Sequence, residues 1–130
     1  MNKRIYIICP VRQINKKQQE FISSYVEHLE KIGCNVHLPY RDVDQTDDGL
    51  GLGILEQHRE AMLSCDEVHI YFDPNSAGSL FDFGMAFVLK KKIRLFNKIS
   101  KTEHKSFDNV LLELERREHM KDICQPDIEY

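Results

Sequence analysis

The sequence predicts an α/β domain with an open, doubly wound, mainly parallel sheet of four or five strands and helices on both faces. Three observations predict it. Short β-branched or aromatic runs alternate with helical apolar periods. The spacing of strand and helix fits βαβ crossovers. The 130 residues match the size of one ordinary domain, read here as 1–130.

Taken in order, Lys3 to Cys9 (K-R-I-Y-I-I-C) is short, β-branched and stopped by Pro10, which reads as a strand buried on both faces. Gln18 to Ile32 carries Phe21, Ile22, Tyr25, Val26, Leu29 and Ile32 at helical spacing and ends at Gly33. Asn35 to Leu38 is a second strand closed by Pro39. Tyr40 to Gly53 is rich in Asp and Gly without apolar period, and reads as a long surface loop acting as a lid. Ile54, Leu55, His58, Ala61, Met62 and Cys65 mark a second helix, Val68 to Phe72 a third strand, and Asp73 to Gly78 a polar turn. A strongly apolar helix, Leu80 to Leu89, and a fourth strand, Ile93 to Phe96, follow. After a basic loop, Asn97 to Lys105, helical spacing returns over Phe107 to Arg117. The end of the chain, within 120–130 and most plainly from Cys124 to Tyr130, reads as a tail.

Composition narrows the function. Hydrophobic residues at 42% and charged residues at 30% describe a globular chain with a sizeable core. A net charge of −3, from 18 Lys+Arg against 21 Asp+Glu, supplies no field for a nucleic acid or an acidic membrane, so a small molecule is the better partner. The longest apolar stretch, Ile5 to Val11, is far shorter than the roughly 20 residues of a membrane span, and a soluble, cytoplasmic protein is expected. Cys9, Cys34, Cys65 and Cys124 form no C-x-x-C pair and read as buried, reduced thiols. The six histidines show no H-x-x-x-H spacing, so neither a metal nor a cofactor is expected.

In such a sheet, ligands bind outside the carboxyl ends of the strands. This directs attention to Pro10–Gln13, to the Tyr40–Gly53 loop, and above all to Asp73-Pro-Asn-Ser-Ala-Gly-Ser-Leu-Phe-Asp-Phe-Gly-Met-Ala86. Ser76, Gly78 and Ser79 would present hydroxyls and backbone N–H groups at a helix start, suited to a phosphate, a sugar hydroxyl or a carboxylate. Asp82 has two readings that spacing leaves open. Ser79-x-x-Asp82 fits a capping box, and an acid near the positive end of a helix stays ionised and can serve as a nucleophile. Gly84 and Ala86 suggest close approach of a strand, ligand or partner helix. His58 reads either as a half-exposed polar group on its helix or as a proton donor.

Two other motifs lack their context. Gly49-Leu-Gly51-Leu-Gly53 follows no strand, as a dinucleotide fingerprint must. Asp44-x-Thr46-x-Asp48-Gly49 opens like a calcium loop, but Leu55 stands where the bidentate Glu belongs. Lys90-Lys91-Lys92 complements a helix C-terminus.

Ile5-Tyr-Ile-Ile-Cys-Pro-Val-Arg12, Cys65-Asp66-Glu-Val and Gly78-Ser-Leu-Phe-Asp-Phe-Gly-Met-Ala86 together resemble the nucleoside 2-deoxyribosyltransferase family, including its deoxynucleoside-monophosphate N-hydrolase branch, over about residues 3 to 97. The resemblance implies a flavodoxin-like, Rossmann-like three-layer sandwich, a homo-oligomer of two or more chains, and cleavage of the N-glycosidic bond of a nucleoside or its 5'-monophosphate. It also implies that Asp82 stands where the family has a Glu nucleophile, shortened by one methylene or about 1.5 Å. His58 stands where the family often has an Asp, and would act as general acid on the departing base. Tyr6, Pro10 and Arg12 match the segment near the sugar or 5' group, with Asp73, Ser76, Gly78 and Ser79 completing the substrate-binding set. Asp73 shares with His58 the candidacy for handling the proton on the base. Water as acceptor gives a hydrolase and a second base a transferase. The competing expectation is a non-catalytic nucleotide-binding or sensor domain of the same fold, and a third is an interaction module packing through Leu80–Leu89.

Overall fold

Ile5–Ile8 offer four apolar side chains in a row and none to turn toward water, so this segment needs cover on both faces. In the computed structural model, which describes residues 2–46 and 49–124, it lies at the centre of the sheet. The strands are β1 (Arg4–Ile8), β2 (Asn35–His37), β3 (Glu67–Ile70) and β4 (Lys92–Leu95), in the order β2-β1-β3-β4 with every pair parallel. Tyr6 pairs with His37 on one side and Val68 on the other, so these three side chains share a face of the sheet.

The helices supply the cover. α1 (Lys16–Lys31) starts before the first periodic apolar residue because Asn15 and Gln18 form a capping box: Gln18 N–H donates to Asn15 Oδ1 at 2.7 Å and Asn15 N–H to Gln18 Oε1 at 3.0 Å. Its Ile22, Val26 and Leu29 pack on Ile5, Ile7 and Val36. α2 (Pro39–Asp42) is a single turn, α3 is Leu52–Ser64, α4 is Ala77–Val88 and α5 is Phe107–Cys124. On the opposite face, Met62 of α3 and Phe83 and Ala86 of α4 pack on Tyr6, Ile8, Val68 and Ile70, and Leu111 of α5 joins them. α5 also guards the open edge of β4, where Glu115 accepts from Arg94 Nε and from the Leu95 N–H, each at 2.8 Å.

Several expected element limits are corrected: β3 is Glu67–Ile70, not Val68 to Phe72, α4 starts at Ala77, not Leu80, and two larger differences follow. The Tyr40–Gly53 loop is shorter than its composition suggests, because Pro39 starts a helical turn with its preset φ and α3 begins at Leu52. The last helix continues to Cys124 instead of ending near Arg117. Its final turns are held by charge, with Lys92 Nζ 3.7 Å from Glu118 and Arg94 Nη1 3.9 Å from Asp122, and so carry no apolar period. Residues 125–130 of the expected tail lie outside the described residues. Cys9 and Cys65 are buried as expected, whereas Cys34 is half-buried just before β2; none of the three is in a disulfide, and the burial expected of Cys124 lies outside what is described. No described helix is long and apolar enough to cross a membrane.

Candidate active site

The chain leaves β1 for β2 on one side and β3 for β4 on the other, so a crevice opens beyond the carboxyl ends of β1 and β3. A cavity of about 490 Å³ occupies this crevice. Arg12 and Gln13 line it after β1, Asn75 to Ser79 after β3, and Ile54, Leu55 and His58 from α3. Gln13 adopts φ 56°, a left-handed conformation that costs a side-chain-bearing residue about 1–2 kcal/mol. Arg12 is exposed and has no ion pair among the described residues, leaving its fork of donors available to an anion.

Asp82 is the buried acid of this cavity, 5% exposed. The capping reading is corrected: Ser76 is the N-cap of α4, and its Oγ accepts from the Ser79 N–H at 3.3 Å while donating to Ser79 Oγ at 2.9 Å. The helix therefore begins before Ser79, and Asp82 lies beyond the reach of its first orphan donors. It shares with Ser79, Phe83 and Ala86 the buried stripe of α4. Its Oδ2 accepts a hydrogen bond from the Tyr6 hydroxyl at 3.0 Å. Burial first, then the charge and hydrogen bond of Asp82, push the Tyr6 phenol far up, so it remains a donor at any physiological pH. The Cys9 thiol, also on the cavity wall, is pushed up to about 12 by burial and by Asp82, which leaves it protonated.

His58 is 8% exposed, which overturns the half-exposed reading: α3 turns it inward beside the acid. His58 Nδ1 is 3.2 Å from Asp82 Oδ2, but the groups are out of line for a hydrogen bond. Both ring nitrogens of His58 and Oδ1 of Asp82 are consequently buried without a partner. A carboxylate with one oxygen held and the other open, next to an imidazole with free valences, can attack an electrophilic carbon and shuttle a proton.

The structure brings most of the sequence-predicted set together. Asp82, His58, Arg12, Ser76, Gly78 and Ser79 all line the cavity, and Tyr6 reaches it through Asp82. Pro10 is fully buried behind the wall. Asp73 is not on the wall; its Oδ1 accepts from the Asn75 N–H at 2.9 Å and shapes the turn before α4. Gly84 is exposed and a methyl group there would touch nothing of this chain within 4 Å, so no strand makes the close approach that is one of its readings. Gln13, Gln45 and Asn75 on the wall fall within the three segments singled out but are not picked individually by pattern, and His37 beside Tyr6 is missed altogether. The register of β2 on β1, which places His37 against Tyr6, is the only signal that could have found the last.

Two solved enzymes share this architecture. A 2-deoxyribosyltransferase from the psychrotolerant bacterium Bacillus psychrosaccharolyticus matches with TM-score 0.64 over 83% of this chain and 90% of its own, at 17% identity. The CMP N-glycosidase of Clostridium botulinum matches with TM-score 0.60 over 93% of this chain and 98% of its own, at 18% identity. The chain has the 2-deoxyribosyltransferase fold. No family model matches it, and no curated protein does. On the 2-deoxyribosyltransferase fold seen here, β1, α3 and α4 bring Tyr6, His58 and Asp82 to one point from distant parts of the sequence.

Proposed function

We propose that this protein cleaves the N-glycosidic bond of a nucleoside, a deoxynucleoside or the corresponding 5'-monophosphate, with Asp82 as nucleophile and water or a second base as acceptor. One observation carries the reading: Asp82 is buried on the cavity wall with Oδ2 bound by Tyr6 and Oδ1 unpartnered. The names of the two structural neighbours, a deoxyribosyltransferase and a CMP N-glycosidase, support the same bond.

The chemistry follows retaining glycosidase logic. Asp82 Oδ1 attacks the anomeric carbon through an oxocarbenium-like state, the carbon–nitrogen bond breaks, and His58 gives its proton to the departing base. Tyr6 holds Oδ2 throughout, which fixes the carboxylate and leaves Oδ1 as the oxygen that attacks. Water or an acceptor base then attacks the same carbon, the ester carbon–oxygen bond breaks, and His58 takes up the proton released. Arg12 and the Ser76–Ser79 segment would hold the 5' phosphate or sugar oxygens, while Ile54 and Leu55 offer an apolar wall to the base. The sequence of steps uses no metal and no cofactor, and suits a cytoplasmic enzyme acting on a small molecule.

The apolar side chains left exposed on α4, Phe87 at 60% and Val88 at 77%, support a homo-oligomer of two or more chains. Sedimentation should give a mass above that of one chain, reduced by Phe87→Glu. The activity is tested by chromatography of the protein incubated with deoxynucleosides, deoxynucleoside monophosphates and ribonucleotides, with and without a free base. Release or exchange of base that vanishes in Asp82→Ala is the expected result. Tight binding with no turnover at high enzyme concentration would favour the sensor reading.

A further inference from the structure

Among the described residues, four buried side-chain polar atoms lack a hydrogen-bond partner: His37 Nε2, His58 Nδ1, His58 Nε2 and Asp82 Oδ1. Native proteins carry few such atoms, and each calls for a reason. All four belong to residues that touch the Tyr6 side chain. Asp82 accepts its hydrogen bond, His58 meets its ring edge-on at 6.2 Å and 71°, and His37 stacks on it at 5.2 Å and 22°. Three of the atoms lie in the catalytic pair of the proposed reaction. The fourth marks a residue for which that reaction has no use.

We propose that His37 is a positioning residue for Asp82: its ring is the shelf that holds the Tyr6 phenol against Oδ2 and so keeps Oδ1 open to substrate. The inference rests on the proposed nucleophilic role of Asp82. Tyr6 and His37 are register partners on adjacent strands, so the shelf is built into the sheet. The phenol has to cross from β1 to α4 inside the core cluster of Met62, Phe83 and Ala86, and within that packing His37 supplies the flat face on which its ring stacks, with the edge of His58 beside it. A displacement of about 1 Å at a reacting group can cost about 100-fold in rate, so restraint of the donor is reflected in turnover. Burial drives the His37 imidazole down from its ordinary 6.5, with Asp42 opposing and His58 and Arg41 reinforcing the shift, which keeps the shelf uncharged near neutrality. His37 is not on the cavity wall, so its effect passes through Tyr6.

The test uses His37→Phe, which keeps a flat ring, and His37→Gln, which keeps polarity and loses the ring. The first readout needs no turnover: the Tyr6 hydroxyl proton, identified by its loss in Tyr6→Phe, is followed by NMR. It should persist in His37→Phe and broaden or vanish in His37→Gln. Persistence in both variants would overturn the proposal whether or not the protein is an enzyme. The second readout is kinetic. His37→Gln should lower kcat about tenfold with KM within about twofold, His37→Phe should restore kcat, and His37→Gln should cost nothing further in a Tyr6→Phe background. A loss confined to KM, or an undiminished loss without the Tyr6 hydroxyl, would show that His37 does not act through Tyr6. If wild type turns over none of the substrates, the proposed reaction fails, while the NMR result still decides the shelf.

Discussion

Two clusters on opposite faces of one sheet use the same three functional groups, a carboxylate, an imidazole and a phenol, and they differ in how completely their polar atoms are paired. On the α1 face, Glu67 Oε1 lies 2.9 Å from His69 Nε2, Oε2 is 2.7 Å from Lys3 Nζ, and the Tyr25 hydroxyl is 2.6 Å from His69 Nδ1. The arrangement requires one tautomer, with Nε2–H donating to Glu67 and Nδ1 accepting from Tyr25. Tyr25 is further fixed by stacking on Phe96 at 4.0 Å and 4°. On the α3–α4 face, Asp82, His58 and Tyr6 share one good hydrogen bond and leave three atoms open beside a cavity. A carboxylate, an imidazole and a phenol thus make a structural brace where each group is paired, and, at the site of the proposed reaction, a cluster where some atoms are left open.

The sharpest way to break this comparison is to remove each acid. Asp82→Ala should reduce kcat about 1000-fold or more while the melting temperature holds or rises, because an incompletely paired buried carboxylate is lost. Glu67→Ala should do the reverse, costing about 3 kcal/mol of stability with kcat per folded molecule unchanged. Turnover and thermal melts of the two variants decide this; equal losses of activity would merge the clusters into one site.

Next in size is reach. Asp82→Glu returns the longer side chain of the resembled family, but Tyr6 and His58 are set at 3.0 and 3.2 Å for the shorter one. A loss of about 100-fold in kcat is expected, and a gain would show that the shortened acid is itself the defect.

The brace should also be the acid-sensitive element. Burial holds His69 below its ordinary 6.5, the Glu67 interaction only partly opposing it. A histidine that resists protonation when folded contributes stability above 6.5, lost progressively as pH falls through and below that value. Burial pushes Glu67 up, but the hydrogen bonds from Lys3 and His69 outweigh it and bring Glu67 below 4.5. Its contribution is therefore present above 4.5 and is lost only at more acid pH. Urea midpoints followed against pH should fall from 6.5 downward in wild type and fall less steeply over the upper part of that range in His69→Gln, where the buried His37 still contributes.

The smallest chemical change, removal of one hydroxyl, separates the phenols. Tyr25→Phe should cost about 1 kcal/mol of stability and leave kcat alone, whereas Tyr6→Phe should cost about 100-fold in kcat through loss of the donor to Asp82. Paired melts and rate measurements check both.

Much of the fold was legible because its signals are local. Ile5–Ile8 is apolar at every position, α1 shows its stripe at Ile22, Val26 and Leu29, and the turn into α4 is written in Ser76 and Gly78. Misreadings arose where a local signal was absent or ambiguous. The charged final turns of α5 carry no apolar period, a single Pro marked both the end of β2 and the start of α2, and Glu67 concealed the first residue of β3.

By itself the sequence determined the class of fold, the order of its elements and the position of an acid just inside the helix that follows β3, since periodicity and turn chemistry act over a few residues. Only the tertiary structure decided that Asp82 serves no cap, that His58 is buried beside it, that His37 backs Tyr6, and which of two similar clusters remains open. The partners that decide these points are brought in from other elements, as Tyr6 is to Asp82 from 76 residues away. Burial and hydrogen-bond satisfaction are properties of the packed chain, and no window of sequence contains them.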